Sequence, residues 1–126
     1  MSSVFTKIIQ GEIPCYKIYE DEKTLAFLDI APEAEGHTLV IPKVEVGKIY
    51  DLSDEDFMAV MNTAKKLSRH YEKVLGERVI WKVYGVDLPE HAHVHIMPLN
   101  ENWAGERFMK PTEEEFRAMQ EKLKLD

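Results

Sequence analysis

The sequence predicts an α+β fold: a five-stranded, mainly antiparallel sheet with one long helix packed on it and short helices at the ends. Three observations carry this. Apolar residues recur at intervals of three and four across 52–76, the pattern of a long amphipathic helix. Runs at 16–20, 24–29, 37–41 and 79–84 are rich in β-branched and aromatic residues and are bounded by turn formers. A fifth run, His91-Ala92-His93-Val94-His95-Ile96-Met97-Pro98, alternates strictly and holds three of the five histidines on one face of a half-buried strand.

The elements follow in order. Ser2 or Ser3 caps a short helix in which Phe5, Ile8 and Ile9 share a face and Gly11 supplies the stop. Beyond Pro14, strands 16–20 and 24–29 flank the polar turn Asp21-Glu22-Lys23 as an antiparallel hairpin. Asp29 closes the apolar run Leu25-Ala26-Phe27-Leu28, where an aspartate accepts from turn amides. A Pro- and Gly-containing loop at 31–36 leads into the interior strand 37–41, which opens on His37. The long helix has Ser53 as N-cap, Leu52 and Phe57 placed for a hydrophobic staple, and Gly76 at its left-handed end. Phe57, Val60, Met61, Ala64, Leu67, Tyr71, Val74 and Leu75 form its core stripe, and His70 lies off it as a surface residue. Near the end, Thr112 and Glu115 make a capping box, and Phe116, Met119 and Leu123 line the face by which this helix docks on the domain. Trp103 is either a core anchor or a lip of the substrate site.

Composition sets limits. A chain of 126 residues, 44% hydrophobic and 31% charged, fits a single globular domain spanning 1–126. Its core occupies 4–100, and a C-terminal extension carries the helix at 112–125. A net charge of −7 argues against nucleic-acid binding, which needs clustered Lys and Arg. The single cysteine, Cys15, can form neither an internal disulfide nor a multi-thiolate zinc cluster, and it reads as an inert thiol in a reducing compartment. Neither a membrane span nor a secretory signal is legible, so a cytoplasmic protein is expected.

The histidine strand admits three readings. One is a wet polar face that happens to be histidine-rich. Another is a metal site, but the outer pair would lie about 13 Å apart along a strand, too far to close on one ion. The third is nucleophilic catalysis, with a central imidazole attacking while its neighbours hold and neutralise an anion such as phosphate.

The run His91-Ala92-His93-Val94-His95-Ile96-Met97 resembles the histidine-triad pattern of alternating histidine and apolar residues. Phe5-Thr6-Lys7-Ile8-Ile9-Gln10-Gly11-Glu12-Ile13-Pro14, Ala26-Phe27-Leu28-Asp29-Ile30-Ala31-Pro32 and Gly36-His37-Thr38-Leu39-Val40-Ile41-Pro42-Lys43 are similar to further blocks of the Hint-like branch of that family, nucleotide-binding phosphoramidate hydrolases. The resemblance covers residues 4–100. It implies a HIT-like fold and a homodimer; no cofactor or metal is expected, since imidazolium and backbone amides can meet the attacked charge. By position it makes His93 the nucleophile, His91 and His95 its flanking imidazoles, and His37 a fourth histidine facing them. Phe5, Ile8, Phe27 and Ile30 would contact the base, and Asp29 the ribose hydroxyls.

One segment departs from the family pattern. Gly85-Val86-Asp87-Leu88-Pro89-Glu90 lacks the usual Gly-Gln pair, and Leu88 stands where the branch has a serine that hydrogen-bonds the leaving group. The resemblance therefore assigns no leaving-group donor here. The activity implied is cleavage at the α-phosphorus of a nucleoside 5′-phosphoramidate or related nucleotidyl substrate through a nucleotidyl-histidine, releasing a nucleoside monophosphate. A non-catalytic nucleotide-binding module, a nucleotidyl transferase and a dinucleoside polyphosphate hydrolase are the alternatives.

Overall fold

The computed structural model describes residues 3–85, 91–99 and 110–125. The positions of Leu88 and Trp103 lie outside these. The described elements are α1 (Val4–Ile9), β1 (Lys17–Glu20), β2 (Thr24–Leu28), β3 (Thr38–Pro42), α2 (Asp54–Leu75), β4 (Val79–Val83), β5 (Val94–Pro98) and α3 (Glu113–Leu123), with a 3₁₀ turn at Ile49–Asp51. The strands form one sheet in the order β1-β2-β3-β5-β4, every neighbouring pair antiparallel. The expected α+β architecture is present.

Alternation decides which side chain goes to which face. Ala26, Leu28, Val40, Val94 and Ile96 join Val60, Ala64, Leu67 and Tyr71 of α2 in the main core. The opposite face carries Leu25, Phe27, Leu39 and Ile41, covered by Phe5, Ile8 and Ile9 of α1. Because β2, β3 and β5 are buried on both faces, their sequences read as nearly continuous apolar runs. Lys17, Phe27, Leu39, His95 and Lys82 stand opposite one another across all five strands, and so form one row on the α1 face.

Caps follow the sequence closely. Ser3, not Ser2, caps α1 by accepting from the Thr6 amide, and Ser53 caps α2 by accepting from that of Asp56. Gly76 ends α2 at φ +71°, where a side chain would be strained. Thr112 and Glu115 form the reciprocal capping box of α3. That helix docks as expected, with Leu123 fully buried. Its outer turns also cap β1: Gln120 donates to the Lys17 carbonyl at 3.0 Å and the Leu125 amide to that of Ile18 at 2.8 Å.

Three details differ from expectation. Burial on α2 begins at Val60, and Phe57 stays 37% exposed although it lies on the stripe by spacing. Thr63 takes a core position that apolar periodicity passes over, because its hydroxyl meets that of Thr24 at 2.8 Å. His70 is half-buried against the Tyr71 ring and is not a plain surface residue.

Candidate active site

The site forms where α1 lies across the sheet face that carries the histidines. Regular pairing in β5 starts only at Val94, the last residue opposite both Val40 and Val83. His91, Ala92 and His93 therefore precede the strand; the Ala92 amide donates instead to the Val46 carbonyl at 2.7 Å. All three triad histidines and His37 are buried.

Hydrogen bonds to groups with a single role fix each imidazole's tautomer. A carbonyl only accepts, so Nδ1 of His93, 2.8 Å from the His91 carbonyl, must carry hydrogen. In the neutral ring its lone pair is then on Nε2. An amide only donates, so Nδ1 of His37, 3.0 Å from the Glu33 nitrogen, must accept. Nε2 of His37 then carries hydrogen and faces Nδ1 of His95 at 2.8 Å. His95 in turn carries its hydrogen on Nε2. The His93 and His95 rings meet edge to face at 4.8 Å between centroids. The lone pair of His93 is thus on Nε2, and the neighbouring ring of His95 carries its hydrogen on Nε2.

His91 has a different setting. Its Nε2 donates to the Pro42 carbonyl at 2.8 Å, and its Nδ1 takes the Ser3 hydroxyl at 2.9 Å. Burial pushes its pKa below the ordinary value, outweighing the Pro42 hydrogen bond and the nearby Glu45 carboxylate, so the ring is held neutral. Both nitrogens are engaged away from the other two triad rings.

Phe5, Ile8, Phe27, Asp29 and Ile30 line a cavity of about 300 Å³ together with His93 and His95. All five residues expected to contact nucleotide therefore share one cavity with His93 and His95, while His91 and His37 stand behind its wall. Ile30 is 76% exposed, an open apolar surface at the mouth. The Asp29 carboxylate accepts from the Ala31 amide at 2.8 Å, and its other oxygen lies 3.5 Å from His37 Nε2. Its turn-forming role is thus compatible with a role at the cavity. A second cavity of about 310 Å³, walled by α3, meets Asp29 and His37 from the other side. Of the four candidate histidines it touches only His37, whereas the first cavity is lined by His93 and His95.

Sequence reasoning missed Tyr84, whose ring stands edge-on to His95 at 5.5 Å and to His93 at 6.4 Å. Alternation held the signal, because Tyr84 continues the parity of Lys82, opposite His95. It also left Cys15 without a site role, although its half-buried thiol lines the cavity; burial raises its pKa and lowers its reactivity. Asp29, His37 and His95 bring ligand atoms within 4.8 Å of one another, a set that invites a metal reading. The hydrogen shared by the two imidazoles favours a proton relay, since both nitrogens would have to present lone pairs to an ion.

Known proteins resemble this chain in sequence and in fold. The family model described as the HIT domain matches residues 10–102. The adenosine 5′-monophosphoramidase of Schizosaccharomyces pombe is 39% identical over 103 residues, covering 78% of this chain and 74% of that protein. Among solved structures, a HIT-like protein of Bartonella henselae superposes with a TM-score of 0.87 at 28% identity, covering 97% of this chain and 93% of the other. A zinc-bound histidine triad family protein of Mycobacterium smegmatis gives 0.82 at 29% identity, with 98% and 94% covered.

Proposed function

The chain belongs to the HIT domain family, and on that premise we propose that it is a nucleotide hydrolase of the phosphoramidase type, with His93 as nucleophile. The observation that carries this reading is the 2.8 Å bond between His93 Nδ1 and the His91 carbonyl, which leaves the reactive electron pair on Nε2 of a ring that lines the cavity.

In the proposed reaction the base lies among Phe5, Ile8, Phe27 and Ile30, and Asp29 accepts from the ribose hydroxyls. Nε2 of His93 attacks the α-phosphorus, and the bond from phosphorus to the amine nitrogen breaks. The departing nitrogen keeps the bonding pair and takes the proton from Nε2 of His95, whose Nδ1 accepts from His37. The hydrogen of His95 also stabilises charge that develops on the phosphoryl oxygens. Water then attacks the nucleotidyl-histidine, gives up one proton to the relay and releases the nucleoside monophosphate. His91 serves through its carbonyl, which holds the nucleophile's tautomer.

A homodimer is part of the proposal. Among the described residues β4 has a sheet neighbour on one side only, and its Trp81 and Val83 are each 40% exposed. An unpaired edge with apolar side chains suits pairing with a second copy.

Incubating the protein with an adenosine 5′-phosphoramidate, quenching in acid and mapping the adduct by mass spectrometry tests the chemistry. A nucleotide on the peptide bearing His93, with nucleoside monophosphate accumulating, is the expected result. Bound but unchanged substrate would favour a binding module instead.

A further inference from the structure

A buried acid outside the histidine set closes a circuit around His95. Glu33, in the loop between β2 and β3, is only 3% exposed, and both its carboxylate oxygens lie against Lys82 Nζ, at 3.0 and 3.1 Å. Lys82 stands directly opposite His95 in the β4–β5 pairing, so its side chain leaves the sheet on the same face. The backbone amide of Glu33 is the one that donates to His37 Nδ1 at 3.0 Å, and His37 meets His95 at 2.8 Å. The path runs from His95 through His37 and Glu33 to Lys82, and returns to His95 across the ladder.

Net stability is a weak reason for such a pair. Desolvating the Glu33 carboxylate offsets much of its attraction to Lys82, whose side chain stays 34% exposed. What the pair supplies is direction. Its carboxylate is fixed to a sheet strand, so the peptide unit of the same residue is fixed too, and only one orientation of that amide points its hydrogen at His37. If the peptide turned away, Nδ1 of His37 would lose that donor. The hydrogen between His37 and His95 would then no longer be confined to one nitrogen, and part of the population would lack hydrogen on Nε2 of His95.

We propose that Glu33 and Lys82 are positioning residues, whose contact holds the loop so that the Glu33 amide keeps His37, and through it His95, in the Nε2–H tautomer. The rate consequence rests on the hydrolase reading; the tautomer consequence does not.

Long-range ¹H–¹⁵N spectra of the full chain labelled at histidine read the tautomers directly, and steady-state kinetics with a nucleoside 5′-phosphoramidate reads the rate. In the wild type and in Lys82→Arg, which preserves the cation, His37 and His95 each show a single Nε2–H form. Glu33→Gln shows mixed forms, with kcat reduced roughly tenfold or more, as for loss of a group that orients a reacting histidine, and KM within about twofold. Should that variant fail to fold, Glu33→Leu with Lys82→Leu removes both charges without leaving one buried alone, and the same outcome is expected. Wild-type tautomers in a folded variant, or a loss confined to KM, would reduce the pair to a structural contact and overturn the proposal. A wild type that hydrolyses nothing would sink the hydrolase reading while the spectra still decided this one.

Discussion

The hydroxyl of Ser3 lies 2.9 Å from Nδ1 of His91 and at the same time accepts from the Thr6 amide at 3.0 Å as the N-cap of α1. One side chain therefore ties the helix that walls the cavity to the first histidine of the triad. With Nε2 of His91 donating to Pro42, its Nδ1 must accept, so the serine hydrogen has a defined place.

Ser3→Ala removes both bonds. Loss of an N-cap costs about 0.5–2 kcal/mol, and the lost imidazole bond adds less than the cost of an unmatched buried acceptor, about 1–3 kcal/mol, because the Thr6 hydroxyl lies 3.4 Å from the same nitrogen. A urea titration should place the variant's midpoint clearly below that of the wild type, and KM should rise as Phe5 and Ile8 lose their anchorage. An unchanged midpoint would mean that the cap and the imidazole bond are both dispensable.

The histidines separate by role. His93→Ala should lose turnover and the trapped adduct but keep nucleotide binding through Phe5, Ile8, Phe27, Asp29 and Ile30. His95→Ala should still form the adduct at His93, slowed by roughly 10²–10³, the effect of removing one oxyanion-type donor. His91→Ala keeps the backbone carbonyl that holds His93 and should still react at His93, slowed only as far as losing the Ser3 and Pro42 bonds shifts that backbone. A nucleotide mapped to His91 or His95 in the wild type would reassign the nucleophile.

Acid should weaken the fold through His91. Its pKa is depressed by burial in the folded chain, so the unfolded chain binds the proton first as pH falls below about 6.5. Unfolding then takes up a proton, and stability drops from there down to the folded pKa, below which no more is lost. Thermal melts at pH 7.5 and 5.5 should show this drop in the wild type and a smaller one in His91→Asn. Equal slopes for the two proteins would place the acid sensitivity elsewhere.

Gly36 combines a φ of +85° with close neighbours, since a Cβ there would come within 3.1 Å of Pro98 and 3.2 Å of Leu123. Gly36→Ala should be destabilised by about 1–3 kcal/mol, from overpacking and from backbone strain together. Differential scanning fluorimetry would read the shift, and a melting temperature equal to that of the wild type would contradict the contact.

The edge of β4 gives the dimer its test. Val83→Lys puts a charge on an exposed strand position that pairing with a second copy would bury, and it should shift the mass seen by light scattering from two chains to one. A monomeric wild type would remove the dimer from the proposal.

Much of this was legible because it is periodic. The alternation from His91 to Pro98 put His93 and His95 on one face, and spacing marked the stripe of α2 from Val60 to Tyr71. Asp29, Phe5 and Ile8 came through resemblance, not through pattern, since a turn aspartate and an amphipathic helix look the same with or without a ligand. What stayed hidden depends on contacts between distant residues. Glu33 and Lys82 look like two surface charges 49 positions apart until the loop is folded onto β4. Nor does any local rule say that both nitrogens of His91 would be engaged, because Ser3 and Pro42 are 88 and 49 positions away from it in the sequence. The start of β5 at Val94 depends on where its partners stop, which the strand's own residues do not encode.

The way α3 closes the domain bears on how the chain is made. A nascent chain released only as far as β5 has every strand of the sheet but none of α3, so the outer carbonyls of β1 that later accept from Gln120 and Leu125 are bare. The hollow beside Gly36 that Leu123 fills stands open too. Contacts such as that between Gln120 and Lys17 span 103 positions, so they form only after nearly all of the chain has emerged. Until then β1 is an exposed edge on which neighbouring nascent chains can pair. Docking of the eleven-residue helix α3 is what covers that edge.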